Sequence, residues 1–185
     1  MAGCTEKDLL DTFESGYAPS LFPGWTCVRE LPADERGKSV DLAVFEPGTD
    51  LGSLRSLYWY RRQLGAKGRP GALRTTFQML SGGMLRGKKA VVIEAECSAN
   101  SQAINEARGQ VLTYSDLLAA NYGCVVVGKG LLLPRGALTD DGVRGALGQN
   151  GIYVYEVDVP SKSARKRRDG TKGPLDWFLD PGSGP

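Results

Sequence analysis

Ala90-Val91-Val92-Ile93-Glu94-Ala95-Glu96-Cys97 is the stretch on which the fold turns. Its left end is continuously apolar, which suits a central strand buried on both faces. Glu94 and Glu96 follow at a spacing of two, and side chains at i and i+2 of a strand share a face. Two carboxylates converging on a buried strand are costly unless something positive lies between them. A hard divalent cation, Mg²⁺ or Mn²⁺, takes carboxylate oxygens and water and would suit the pair. The alternative is that both acids face solvent at a sheet end, since Ile93 and Ala95 alternate with them as in a half-exposed strand.

Outward from this stretch, Ser39–Phe45 (SVDLAVF) reads as a second strand, with Val40, Leu42 and Val44 on one face and Asp41 on the other. Asp41 is the natural third ligand. Trp25 to Leu31 predicts a further strand, with a turn over 34–38. Before it, Thr5 and Asp8 have the spacing of a helix cap, and Leu9, Leu10 and Phe13 carry an apolar stripe to Gly16. After it, 101–122 is the longest helical pattern, with Ile104, Ala107, Val111, Leu112, Leu117 and Leu118 roughly on one side. A short strand over 124–127, a helix over 139–148 and an alternating strand over 152–159 follow. The order predicts an α/β domain, a central mixed sheet flanked by helices, over residues 1–160.

Residues 47–88 interrupt this order as an inserted basic segment with two helical pieces, 54–64 and 74–80. Residues 161–185 predict a basic, then Pro/Gly-rich, flexible tail. Its Leu175, Trp177, Phe178 and Leu179 could dock on the body or on a protein partner.

The chain has 185 residues and is 41% hydrophobic, enough to bury one core without disulfides or metal staples. No stretch approaches a membrane span, and the acids near the start do not fit a secretion signal. The expectation is a cytoplasmic protein without membrane contact. Cys4, Cys27, Cys97 and Cys124 are scattered and form no C-x-x-C pair, so they read as free thiols rather than a zinc site. Histidine is absent, which removes Ser-His-Asp, Cys-His and His-metal mechanisms. A general base must then be a carboxylate, Lys, Tyr or metal-bound water.

The net charge of +2 conceals a split. Gly52 to Lys89 carries nine Lys/Arg and no acid, and Ser161 to Lys172 carries six against one. The other 135 residues therefore carry −12. An acidic body with two basic attachments suggests a polyanion partner. In the insertion, Tyr58, Trp59, Tyr60, Arg61 and Arg62 interleave rings with cations, as base stacking plus phosphate contact requires. Arg69, Arg74, Arg86, Lys88 and Lys89 extend that surface. The alternative is that the rings pack the insertion onto the core, with Arg stems covering apolar surface.

Together, the element order and the acids resemble the PD-(D/E)xK nuclease superfamily, the restriction-endonuclease-like fold. Asp41 would stand for the family's strand Asp, and Glu94-Ala95-Glu96 for its (D/E)-x-K element, with Glu96 in place of the usual Lys. Glu6 falls near the accessory acid of many members, although Asp8 or Glu14 could serve. Gln110-x-x-x-Tyr114 is similar to the Q-x-x-x-Y element of the RecB-type branch. The resemblance covers 5–46 and 89–128 and leaves a gap of 52 residues between Asp41 and Glu94. It implies a metal-dependent nuclease hydrolysing phosphodiester bonds, with DNA the favoured substrate. Asp41 and Glu94 would be metal ligands, Glu96 a ligand or base, and Gln110 and Tyr114 would steady substrate or ligands. Cutting both strands would favour a homodimer. The rival reading is a noncatalytic nucleic-acid-binding protein or assembly subunit that keeps the fold.

Gly82-Gly83-Met84-Leu85-Arg86-Gly87-Lys88-Lys89 nearly spells a P-loop, but Lys89 replaces the hydroxyl residue and a strand follows where a helix should start.

Overall fold

The computed structural model describes residues 4–34, 36, 38–50, 83, 85–159 and 163–167. Helix α1 (Glu6–Gly16) leads through the single turn α2 (Ala18–Leu21) into strands β1 (Thr26–Pro32) and β2 (Ser39–Phe45). Beyond the insertion come β3 (Lys89–Ala95), helix α3 (Ser101–Tyr122) and β4 (Val125–Pro134), then helix α4 (Asp141–Gln149), β5 (Ile152–Asp158) and β6 (Ser163–Arg167).

The strands form one mixed sheet in the order β1-β2-β3-β4-β5-β6. Its first three strands are antiparallel neighbours. β3, β4 and β5 run parallel, as helical connections between neighbouring strands allow, and β6 returns antiparallel on β5. The result is an α/β fold in which a mixed sheet packs against helices on both faces. Leu9, Leu10 and Phe13 of α1 pack on Leu42, Val44, Val91, Ile93 and Tyr155. On the other face, Tyr114, Leu118 and Tyr122 of α3 pack on Ala43, Phe45, Ala90 and Val92, while Ile104 and Val111 meet Leu131, Leu133 and Val154.

Local chemistry sets the helix ends. Thr5 caps α1 through a full capping box: its hydroxyl oxygen accepts the Asp8 N–H, and its own N–H donates to Asp8. Asn100 caps α3, which ends at Gly123 in the left-handed region, φ +67°. Asp140 accepts the N–H groups of Gly142 and Val143 at the start of α4. Arg29 of β1 reaches back to Glu14 and Asp11, fastening α1 over the sheet.

Four expectations need correction. The strand expected through Cys97 ends at Ala95, so Glu96 lies just beyond it, although its N–H still donates to Leu132 O. Val40 does not share a cluster with Leu42 and Val44 but joins Leu31, Ala33 and Tyr114. The short strand over 124–127 is a ten-residue strand, β4. Within it, Gly130 is the residue that lets the Tyr155 ring cross β4. A Cβ there would sit 2.7 Å from Tyr155 Cε2. Finally, the tail read as flexible from 161 gives 163–167 to the sheet as β6.

Among the described residues no helix is long and apolar enough to cross a membrane. The helical pieces expected at 54–64 and 74–80, and the apolar knot at 175–179, lie outside the described residues.

Candidate functional site

β3, β4 and β5 point the same way, so Ala95, Pro134 and Asp158 end at one sheet edge. β2 is antiparallel to β3, which brings its beginning to that same edge. Leu42 pairs with Ile93, so Asp41 and Glu94 stand opposite each other one step further along. Carboxyl ends of parallel strands are where open α/β sheets commonly present ligand sites.

The two carboxylates are held by each other's strand. Glu94 Oε1 accepts the Asp41 N–H at 3.1 Å, and Asp41 Oδ2 accepts the Ala95 N–H at 2.9 Å. Glu94 is buried, with 3% of its surface exposed. Burial, and then the Asp41 charge, push its carboxyl up to about 9. Burial also raises Asp41, with the Ala95 N–H pulling in the opposite direction. Burial thus favours the carboxylic-acid form of Glu94 at neutral pH.

Three further acids send their charge into this pair. Glu6, from the first turn of α1, has its carboxyl raised by partial burial and then by Asp41 and Glu96. Of the three candidates on that helix, the structure brings only Glu6 to the pair. Asp8 is committed to the capping box and Glu14 to Arg29. Glu96 is turned into its own loop, where Oε1 accepts the Ser98 N–H at 2.6 Å. Its charge still reaches Asp41 and Glu6.

The fifth acid, Glu30, is one that sequence reasoning missed. The pairs Arg29–Leu42 and Leu31–Val40 place it on β1 beside Asp41, and its charge raises the Asp41 carboxyl. Its backbone is left-handed, φ +48°, a conformation that costs a non-glycine residue roughly 1 kcal/mol or more. Counting the hairpin outward from the turn at 34–38 could have found it.

Tyr114 and Gln110 separate. Tyr114 is buried against β2 and β3, and its phenol is raised by burial and then by Glu94 and Asp41. It stays protonated, a donor facing acids. Gln110, one helical turn earlier, is exposed.

Of the basic candidates, Arg86, Lys88 and Lys89 lie at the opposite sheet edge. Lys89 opens β3, and Glu94 is five positions further along, roughly 16 Å of extended chain. Lys88 approaches Glu46 at 4.0 Å, and Arg86 lies against Gly123. Tyr58, Trp59, Tyr60, Arg61, Arg62, Arg69 and Arg74 lie outside the described residues.

Oxygen donors of the Asp41–Glu94 kind suit a hard cation, and like charges forced together in a buried place are what such a cation relieves. Two carboxylates fit that role. Among the described residues no group of three Asp, Glu, Cys or His side chains is arranged to hold a metal ion. Compared with protein-family models, curated proteins and solved structures, the chain matches none.

Proposed function

We propose that the chain is a metal-dependent nuclease with a restriction-endonuclease-like core, acting on DNA. The observation that carries this reading is the Asp41–Glu94 pair, opposed on β2 and β3 at the open sheet edge and each held by the other's strand. Asp41 and Glu94 would hold Mg²⁺ or Mn²⁺, which would shield the scissile phosphate and lower the pKa of bound water. Binding there would displace the Glu94 proton. Glu6, whose charge acts on the pair, would accept a proton from the attacking water. Tyr114 would keep its phenolic proton and steady the Glu94 carboxylate from the α3 side.

The test is a cleavage screen over single- and double-stranded DNA and RNA, with Mg²⁺ or Mn²⁺, run beside Asp41→Asn and Glu94→Gln. DNA cleavage that needs the cation and falls at least 100-fold in both variants is expected, the scale at which removing a group aimed at the reacting phosphate acts, roughly 3 kcal/mol. Cleavage unchanged in both variants would sink the reading.

One observation favours a second reading, a nucleic-acid-binding protein without turnover. The position of the usual motif Lys is a carboxylate, Glu96, tied to Ser98 rather than aimed at the pair. That reading expects salt-sensitive DNA binding with no cleavage in any metal and no Mn²⁺ binding by calorimetry.

A further inference from the structure

Two of the four thiols meet where α1 begins and β3 ends. Cys4 immediately precedes the cap residue Thr5, and Cys97 lies two residues beyond the last residue of β3. Both are half-buried and pack against the same apolar cluster, the one formed by Leu9, Phe13, Ile93 and Ala95. Their side chains lie close enough to interact directly. Ninety-two residues separate them in sequence, so this contact is made by the fold and not by local chain geometry. Cys27, on β1, packs against the same cluster but near Glu14 of α1, and Cys124 follows α3 in the other cluster.

We infer that Cys4 and Cys97 are an oxidisable pair that a hydroperoxide converts to an intramolecular disulfide, fastening the start of α1 to the end of β3. The inference is independent of whether the carboxylates hold a cation. In the first step one sulfur attacks the peroxide O–O bond, becomes a sulfenic acid and releases water or alcohol. In the second step the other sulfur attacks it, the S–S bond forms, and the sulfenic oxygen leaves as water carrying the remaining thiol proton. Two thiols are oxidised and one peroxide is reduced. Both thiols are half-buried, so the conversion needs sustained exposure rather than a pulse. The crosslink would fix the helix turn that bears Glu6 against the strand that bears Glu94.

The test uses the full chain, reduced, then held with hydrogen peroxide, alkylated and digested with trypsin without reductant. The expected product joins the peptide 1–7 to the peptide 90–108, dominates over every other crosslink, and disappears on reduction. The closed loop is long, so Tm should rise by about 5–10 °C on oxidation of the wild type. Cys4→Ser and Cys97→Ser should each abolish both the linked peptide and the rise, while Cys27→Ser keeps both. The inference is overturned if Cys4 and Cys97 remain alkylatable after the exposure, or if the dominant crosslink involves Cys27, Cys124 or a second chain.

Discussion

Glu94 Oε1 accepts the backbone N–H of Asp41 across the β2–β3 ladder, so the more deeply buried carboxyl of the pair rests on the strand of the other. Neither acid can be removed without releasing a hydrogen bond in the partner strand. Chemistry and architecture are joined at this one contact.

The pH dependence of stability follows from it. Glu94 is raised from 4.5 to about 9 in the fold, so between those values the folded chain binds more protons than the unfolded chain. Stability then falls as pH rises through that window, by roughly 1 kcal/mol per unit from this group. The groups facing it are Asp41 from β2, Glu6 from α1 and Tyr114 from α3. Glu94→Gln, which cannot ionise, should flatten the slope and raise stability at pH 8. Urea unfolding at pH 6, 7 and 8 without divalent cations reads it. A slope equally steep in the variant and the wild type would contradict the assignment.

Glu6→Gln should lower the Glu94 pKa, because it removes a like charge that favours the protonated form. Carboxyl NMR titration of Glu94 in both chains measures the shift. An unmoved or higher value would separate Glu6 from the pair.

Gly130→Ala tests the crossing of Tyr155 over β4. The new methyl would meet Tyr155 Cε2 at 2.7 Å and Ile93 Cγ1 at 3.1 Å, and Phe13 stands against the same Tyr155 ring at 5.1 Å between centroids. The ring has little room to yield, so a loss of about 1–3 kcal/mol in urea unfolding is expected. A loss within error would mean the ring moves freely.

Tyr122→Phe removes the phenol that donates to Pro32 O at 2.6 Å in a buried setting. Leaving that carbonyl without its donor should cost about 1–2 kcal/mol, read as a lower urea midpoint with unchanged slope. Thr5→Ala, which removes the α1 cap, should cost about 1 kcal/mol by the same measurement.

The parts of the fold that were legible are those in which one residue type has one physical use. Ser39–Phe45 is an apolar strand around Asp41, Thr5 and Asp8 have capping spacing, and the helical pattern over 101–122 is a 22-residue helix. The acid pair was legible because a carboxylate in an apolar strand needs a proton, a cation or a hydrogen-bond donor to stay there. β4 was not, since Gly128 and Gly130 look like breaks unless the ring above them is known. β6 was hidden for the opposite reason. Ser163–Arg167 has the composition of a solvated charge run, and only pairing with β5, Glu156 opposite Arg165, makes it a strand. Gln110 and Tyr114 share a helix spacing, but four residues on a helix leave an angular offset, enough here to expose one and bury the other.

β3 carries its ionisable side chains at its two ends, Lys89 at the start and Glu94 near the finish. The separation of roughly 16 Å is that of about five base pairs of duplex. On the proposed reading, β3 acts as a ruler. A strand gripped at Lys88 and Lys89 would be cut about half a helical turn away from its anchor, so substrates shorter than that span should be cut poorly however well they fit the acids.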